Sequence, residues 1–166
     1  PSIILIDQMQ DLLPRLSEAQ EEQISKSQFL SSKDPSAQFK YSFVYNPEGP
    51  SKINLNFPSL ILEASVSLFL KFNVENYISA IALISEHVDS NNLNNTNRAS
   101  VKLPEGRGEI LRLKEGMILI DFAHDQQSMQ NILSELENYY SDIILVFGCG
   151  GDRDKSKRPK MMKVAQ

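Results

Sequence analysis

The sequence predicts an α/β protein, and three observations carry that expectation. A strand-sized apolar run at the start, Ile3 to Ile6, is followed by Leu12, Leu13 and Leu16 at helical spacing. From Asn73 onward, Val74, Tyr77, Ile78, Ile81, Ala82 and Val88 fall on one helical stripe. Later, Met129, Ile132, Leu133 and Leu136 mark a second stripe that runs into Ile143 to Phe147, a continuous apolar stretch of the kind buried on both faces of a sheet.

Taken in order, the Ile3 to Ile6 strand ends at Asp7, and Pro14 sits in the first turn of the helix after it, completing a βα step. Residues 18–38 are rich in Gln, Ser and Lys, and Asp34-Pro35-Ser36 is turn chemistry, so a helix end and a loop are expected there. Phe39 to Tyr45 and Lys52 to Phe57 alternate as two strands around Asn46-Pro47-Glu48-Gly49-Pro50, which suits an antiparallel hairpin. Leu60 to Phe69 reads as a strand or as a strand plus a turn. Asn73 is placed to cap the following helix.

The stretch 89–97 holds five asparagines, which disfavour regular structure and predict a linker. A domain boundary is expected at residues 103–104, beside Leu103-Pro104. Beyond it, Glu109 to Leu113 and Met117 to Phe122 flank Lys114-Glu115-Gly116 as a hairpin. The helix of Met129 and the strand of Ile143 then suggest a right-handed βαβ crossover. A final helix enters at Lys157-Arg158-Pro159 and carries no stop signal. Together with a first residue, Pro1, that is not methionine, this predicts a segment of a longer protein.

Composition narrows the function classes. At 166 residues and 41% hydrophobic content the chain can bury a core. With 17 basic against 21 acidic residues the net charge is −4, which argues against a surface built to coat nucleic acid or an anionic membrane. No apolar run approaches the ~20 residues of a membrane-spanning helix. A single cysteine, Cys149, and no signal-peptide pattern suggest a cytoplasmic setting. Two histidines, His87 and His124, make no zinc-type cluster.

Two constellations can carry chemistry. Gly148-Cys149-Gly150-Gly151-Asp152-Arg153-Asp154 follows the Ile143 strand and precedes the last helix, where clustered glycines let a backbone approach an anion and Arg153 offers a two-pronged carboxylate or phosphate ligand. It matches neither the dinucleotide nor the Walker fingerprint. A flexible glycine turn followed by a solvated basic helix is the other reading. Asp152 and Asp154 also have the Asp-x-Asp spacing of metal-dependent transferases, which two solvated carboxylates share.

The second constellation, Asp121-Phe122-Ala123-His124, sits at a strand end where a carboxylate and an imidazole can orient a ribose, a metal-bound water or a phosphate; a histidine bonded to backbone is the alternative. Asn76 lies beside its helix's apolar stripe, facing either a ligand or water. Arg107, after Pro104-Glu105-Gly106, is either a cleft arginine or an ordinary surface one.

Read together, Phe72-Asn73-Val74-Glu75-Asn76, Pro104-Glu105-Gly106-Arg107, Asp121-Phe122-Ala123-His124 and the motif from Val146 to Pro159 resemble the Mur ligase family. Four motifs occur in the family's order over residues 72–159. The resemblance implies the latter part of a central ATP-binding domain over residues 1–103, then the opening βαβ of a Rossmann-like C-terminal domain over residues 104–166.

It further implies an ATP- and magnesium-dependent ligase that joins a diamino acid to UDP-N-acetylmuramoyl-L-alanyl-D-glutamate through an acyl phosphate, in peptidoglycan synthesis. By the same resemblance Asn76, Arg107, Asp121 and His124 bind ATP, and Arg153 binds the carboxylate of the incoming amino acid. The lysine-bearing phosphate loop, the family's magnesium-associated lysine and the Asp-Asn-Pro-Arg selector are absent, so this piece alone is expected to be inactive and prone to self-association. The family's glycine before Phe72-Asn73 is replaced around Leu70, and its Thr-Pro-Asp after Ala-His is Asp125-Gln126-Gln127. A non-catalytic module binding an anion at the Arg153 loop is the competing expectation.

Overall fold

The computed structural model describes residues 3–5, 28–95, 98, 101–149 and 156–166. The helix expected around Leu12 and the Gly150 to Lys155 part of the glycine motif lie outside them. The chain divides into two compact units: Pro1–Leu68 with Phe72–Lys102, and Phe69–Lys71 with Leu103–Gln166.

The first unit is built on a sheet in the order β1 (Ile3–Leu5), β2 (Gln28–Ser31), β3 (Phe39–Val44), β4 (Ser51–Phe57) and β5 (Leu60–Val66). β1–β2 and β2–β3 pair parallel, β3–β4 and β4–β5 antiparallel. The alternation read from the sequence becomes burial. Phe39, Tyr41, Ile53, Leu55, Phe57, Leu60, Leu62 and Val66 are buried, while Lys40, Ser42, Lys52, Asn54, Asn56 and Glu63 between them are exposed. The Phe39 and Phe57 rings lie 5.2 Å apart, tilted by 59°. In the hairpin loop, Asn46 Oδ1 accepts from the Glu48 N–H at 3.1 Å and Ser51 Oγ accepts from the Asn46 N–H at 3.0 Å.

The open reading of residues 60–69 resolves as the strand β5. The loop expected across 18–38 is corrected by β2: Phe29 and Leu30 interrupt the polar run, and pairing on both sides makes a strand of four residues with weak propensity. β2 then ends in a turn, where Ser31 Oγ accepts from the Lys33 and Asp34 N–H groups.

Helix α1 (Lys71–Ser85) buries Asn73, Val74, Ile78, Ile81, Ala82 and Ser85. Asn73 is therefore inside the first turn, not the cap expected for it. The residue before the helix, Leu70, has φ 67°, the left-handed region that favours glycine, and its side chain is fully buried. The asparagine-rich stretch also departs from expectation, forming the short helix α2 (Ser90–Asn94). Asp89 caps it by accepting from the Asn91 N–H at 2.7 Å, and Leu93 anchors it in the core. Arg98, itself buried, donates to the Leu93 and Asn94 carbonyls at its C-terminal end. Burial raises the Tyr77 phenol above its ordinary range, and the Arg98 guanidinium bonded to it opposes that shift.

The second unit holds the antiparallel pair β6 (Arg107–Leu113) and β7 (Gly116–Asp121), then α3 (Gln126–Leu136) and α4 (Lys157–Val164). The two helices pack together, with Met129, Ile132, Leu136 and Met161 buried. The Lys71 N–H donates to the Glu135 carboxylate at 2.6 Å.

The strand expected over Ile143 to Phe147, and with it the closed βαβ crossover, is not formed among the described residues. β6 and β7 pair only with each other, and the apolar run joins no ladder. Its side chains alternate in exposure, at 36% for Ile143, 93% for Ile144, 37% for Leu145 and 90% for Val146. An apolar run is strand-like only in potential: its N–H and C=O groups need a neighbouring strand to make a ladder.

Candidate functional site

The hairpin of the second unit assembles three of the residues singled out from the sequence. The turn before β6 closes with the Arg107 N–H donating to the Pro104 carbonyl at 3.1 Å, and Gly106 takes φ 70° with nothing near its absent Cβ. The Gly106 N–H donates to Glu109 Oε2 at 2.9 Å. Arg107 pairs across the hairpin with Asp121, and the next pair is Glu109 with Ile120. Gly108 is thus the extra residue of a β-bulge, and its φ of 66° is the left-handed conformation such a bulge requires.

The bulge frees the Gly108 N–H from the ladder, and Asp121 collects it. Asp121 Oδ2 accepts from Gly108 at 2.8 Å and Oδ1 accepts from the Ala123 N–H at 2.8 Å. The carboxylate therefore fixes the mouth of the hairpin from both strands. A carboxylate oxygen has two lone pairs, so each still has room for one further donor, such as a ribose hydroxyl.

Arg107 and His124 are exposed, and they flank the same ring. The Arg107 guanidinium carbon lies over Phe122, 4.7 Å from the ring centroid, and the His124 ring is 5.6 Å from that centroid at 47°. Among the described residues the Arg107 guanidinium makes no hydrogen bond or ion pair, so its N–H edge is available to an anion. Asp125 follows as the N-cap of α3, with Oδ1 accepting from the Ser128 N–H at 2.8 Å and hydroxyl at 2.6 Å; these bonds hold its carboxyl below the usual range. The residues that replace the family's Thr-Pro-Asp thus start a capped helix.

Asn76 belongs to the other unit, exposed on α1 as its place beside the apolar stripe implied. Arg153, Asp152 and Asp154 lie outside the described residues. Among the described residues no group of three or more His, Cys, Asp and Glu converges as a metal site, and no helix is long and apolar enough to cross a membrane. An open groove of about 610 Å³ in the first unit, lined by Gln38, Asn56, Ser59, Ser90 and Asn94 among others, includes none of the candidate residues. Phe122 was not singled out by the sequence. The signal that finds it is the pairing of Arg107 with Asp121, which brings the next residue within reach of the arginine.

Residues 106–166 match the family model described as Mur ligase, glutamate ligase domain. Among curated proteins, the UDP-N-acetylmuramoyl-L-alanyl-D-glutamate–2,6-diaminopimelate ligase of Chlamydia muridarum is 33% identical over 129 residues, covering 69% of this chain and 27% of the relative. The ligase of the same name from Wigglesworthia glossinidia brevipalpis is 33% identical over 103 residues, 60% of this chain and 21% of the relative. The chain thus spans 21–27% of the length of these two relatives. A solved structure of such a diaminopimelate ligase superposes with a TM-score of 0.51 at 30% identity, over 98% of this chain and 34% of that one. MurF from Acinetobacter baumannii gives a TM-score of 0.58 at 14% identity, over 74% of this chain and 27% of that one, a likeness of fold alone.

Proposed function

The chain belongs to the Mur ligase family, and from that premise we propose that it is part of an ATP-dependent amide ligase that adds a diamino acid to UDP-N-acetylmuramoyl-L-alanyl-D-glutamate in peptidoglycan synthesis. The relatives' names point to 2,6-diaminopimelate as the diamino acid. Residues 1–103 would be the latter part of the central ATP-binding domain and residues 104–166 the start of the C-terminal domain. The setting is the cytoplasm, where ATP and nucleotide-activated precursors are made.

The observation that supports this reading best is the convergence of Arg107, Asp121 and His124 on one hairpin mouth within the matched residues. Each has a part that suits a nucleotide. Asp121 is held by two backbone N–H groups and keeps lone pairs for ribose hydroxyls. Arg107 offers phosphate oxygens an N–H edge that makes no bond among the described residues, and the His124 imidazole lines the same surface. Asn76 is proposed for the adenine and Arg153 for the carboxylate of the incoming amino acid. Magnesium would offset phosphate charge during transfer. No residue described here is assigned to hold it.

In the proposed reaction a glutamate carboxylate oxygen attacks the γ-phosphorus of ATP, forming an acyl phosphate and releasing ADP. The amine nitrogen of the diamino acid then attacks the acyl carbon, phosphate departs, and the nitrogen loses a proton to leave an amide. Phosphoryl transfer of this kind depends on positioning and charge stabilisation more than on covalent catalysis. The natural full-length protein is expected to release phosphate only when ATP, the UDP-linked dipeptide and diaminopimelate are all present. Asp121→Ala should raise the KM for ATP by about tenfold, the equivalent of one charge-assisted hydrogen bond. No phosphate release with any diamino acid would overturn the reading.

A further inference from the structure

Resting on the reading of Arg107 as a nucleotide contact, we propose that Phe122 is its positioning residue: the exposed ring carries the guanidinium so that its N–H edge is presented to the phosphate oxygens of a nucleoside triphosphate. Phe122 is 61% exposed, although most of a phenyl ring's value to a fold comes from burial. What the ring does touch is informative. The Arg107 guanidinium carbon is 4.7 Å from its centroid, and the His124 ring 5.6 Å.

Three features of the hairpin bring this about. The bulge at Gly108 sets the direction of the strand at Arg107. The Arg107 to Asp121 pairing brings Phe122 alongside, one residue past the end of the ladder. Asp121 then ties the Gly108 and Ala123 N–H groups on either side, fixing the backbone that carries the ring.

An arginine free in solvent has rotamer entropy to lose on clasping an anion. A guanidinium held over a ring has lost part of that already, and stacking leaves its N–H groups unused at the edge. The ring thus preorganises the arginine without itself touching the anion. The attraction is strongest for Trp, shared by Tyr and Phe, and lost with an aliphatic side chain of similar bulk.

The test is a double-mutant cycle in the natural full-length protein, with ATP affinity measured by isothermal titration and KM and kcat by phosphate release. Phe122→Leu should weaken ATP binding about threefold, the size of an exposed cation–π contact, and raise KM with kcat unchanged. Phe122→Trp and Phe122→Tyr should bind ATP at least as well as the natural protein, a ranking that simple packing would not produce. In an Arg107→Ala background, Phe122→Leu should have no further effect.

If Phe122→Leu weakens ATP equally in both backgrounds, or in neither while Arg107→Ala alone does, the positioning role is overturned and the nucleotide contact of Arg107 stands. If Arg107→Ala leaves ATP affinity unchanged, the reading on which the proposal rests is overturned as well.

Discussion

β4–β5 and β6–β7 are both antiparallel ladders of consecutive strands, yet they treat their apolar side chains differently. In β4–β5, Ile53, Leu55, Phe57, Leu60, Leu62 and Val66 are all under 10% exposed. In β6–β7, Leu111, Leu113, Ile118 and Ile120 are each more than 40% exposed. Both ladders pair along their length, β6–β7 with a single bulge at Gly108, so backbone pairing does not account for the difference. β4 has a hydrogen-bonded neighbour on each side and belongs to a five-stranded sheet, whereas among the described residues β6 and β7 have only each other. Alternation assigns a strand its faces, and further layers decide whether a face is covered.

The most direct way to break this contrast is to cut one large side chain from each unit. Phe39 is fully buried and rests against Phe57, so Phe39→Ala is expected to destabilise the first unit by about 3–5 kcal/mol through lost burial and a cavity. Ile144, at 93% exposure, should tolerate Ala within about 0.5 kcal/mol. Urea titrations of the two variants measure both values. An Ile144→Ala cost comparable to that of Phe39→Ala would mean that Ile143 to Phe147 is packed in solution.

The same contrast explains what could be read from the sequence. The β3–β4 hairpin, α1, the β6–β7 hairpin and α3 announce themselves by local period and turn chemistry, while residues 60–69 left a strand and a strand plus a turn both open until β5 resolved them. β2 did not, because four residues with two apolar side chains become a strand only through partners far away in sequence. The Ile143 run failed in the opposite sense, with strong local character and no partner among the described residues. α2 was hidden by its asparagines, since the Asp89 cap and the anchoring of Leu93 outweigh poor propensity. At the site, Asp121 and His124 were legible as residue types at a strand end, and Arg107 as an arginine at the expected domain boundary. Phe122 was not, because its contact with Arg107 depends on the bulge and the register.

Leu70 sharpens the contrast from within the second unit, as a residue fully buried on a backbone that disfavours it. Its φ of 67° costs a side-chain-bearing residue about 1–2 kcal/mol, and the Mur family resemblance expects a glycine near this position. Leu70→Ala and Leu70→Gly both forfeit the buried side chain. Only glycine relieves the backbone, so Leu70→Gly should be the more stable of the two by about 1 kcal/mol, reversing the order expected in a helix or strand interior. Thermal unfolding of the pair measures the gap. Alanine the more stable would mean that the left-handed conformation is not held in solution.

The smallest effect concerns what holds α3 in the less covered unit. Asp125 caps the helix through Ser128, and the side-chain and backbone bonds from Ser128 hold its carboxyl below the ordinary 3.8. A carboxyl whose pKa is lower folded than unfolded stabilises the fold above the unfolded value, and that contribution disappears as the pH falls through the folded one. Asp125→Ala should therefore cost about 1 kcal/mol at pH 7, a typical loss for a helix cap, with the difference shrinking below pH 4. Asp125→Asn keeps an accepting oxygen without titrating, so it should retain most of the cap at neutral pH and lose none of it in acid. Helical signal followed through urea titrations at several pH values separates these cases. If the alanine variant matches the natural chain at pH 7, then Met129, Ile132 and Leu136 hold α3 without its cap, and the second unit's core is firmer than its exposed hairpin suggests.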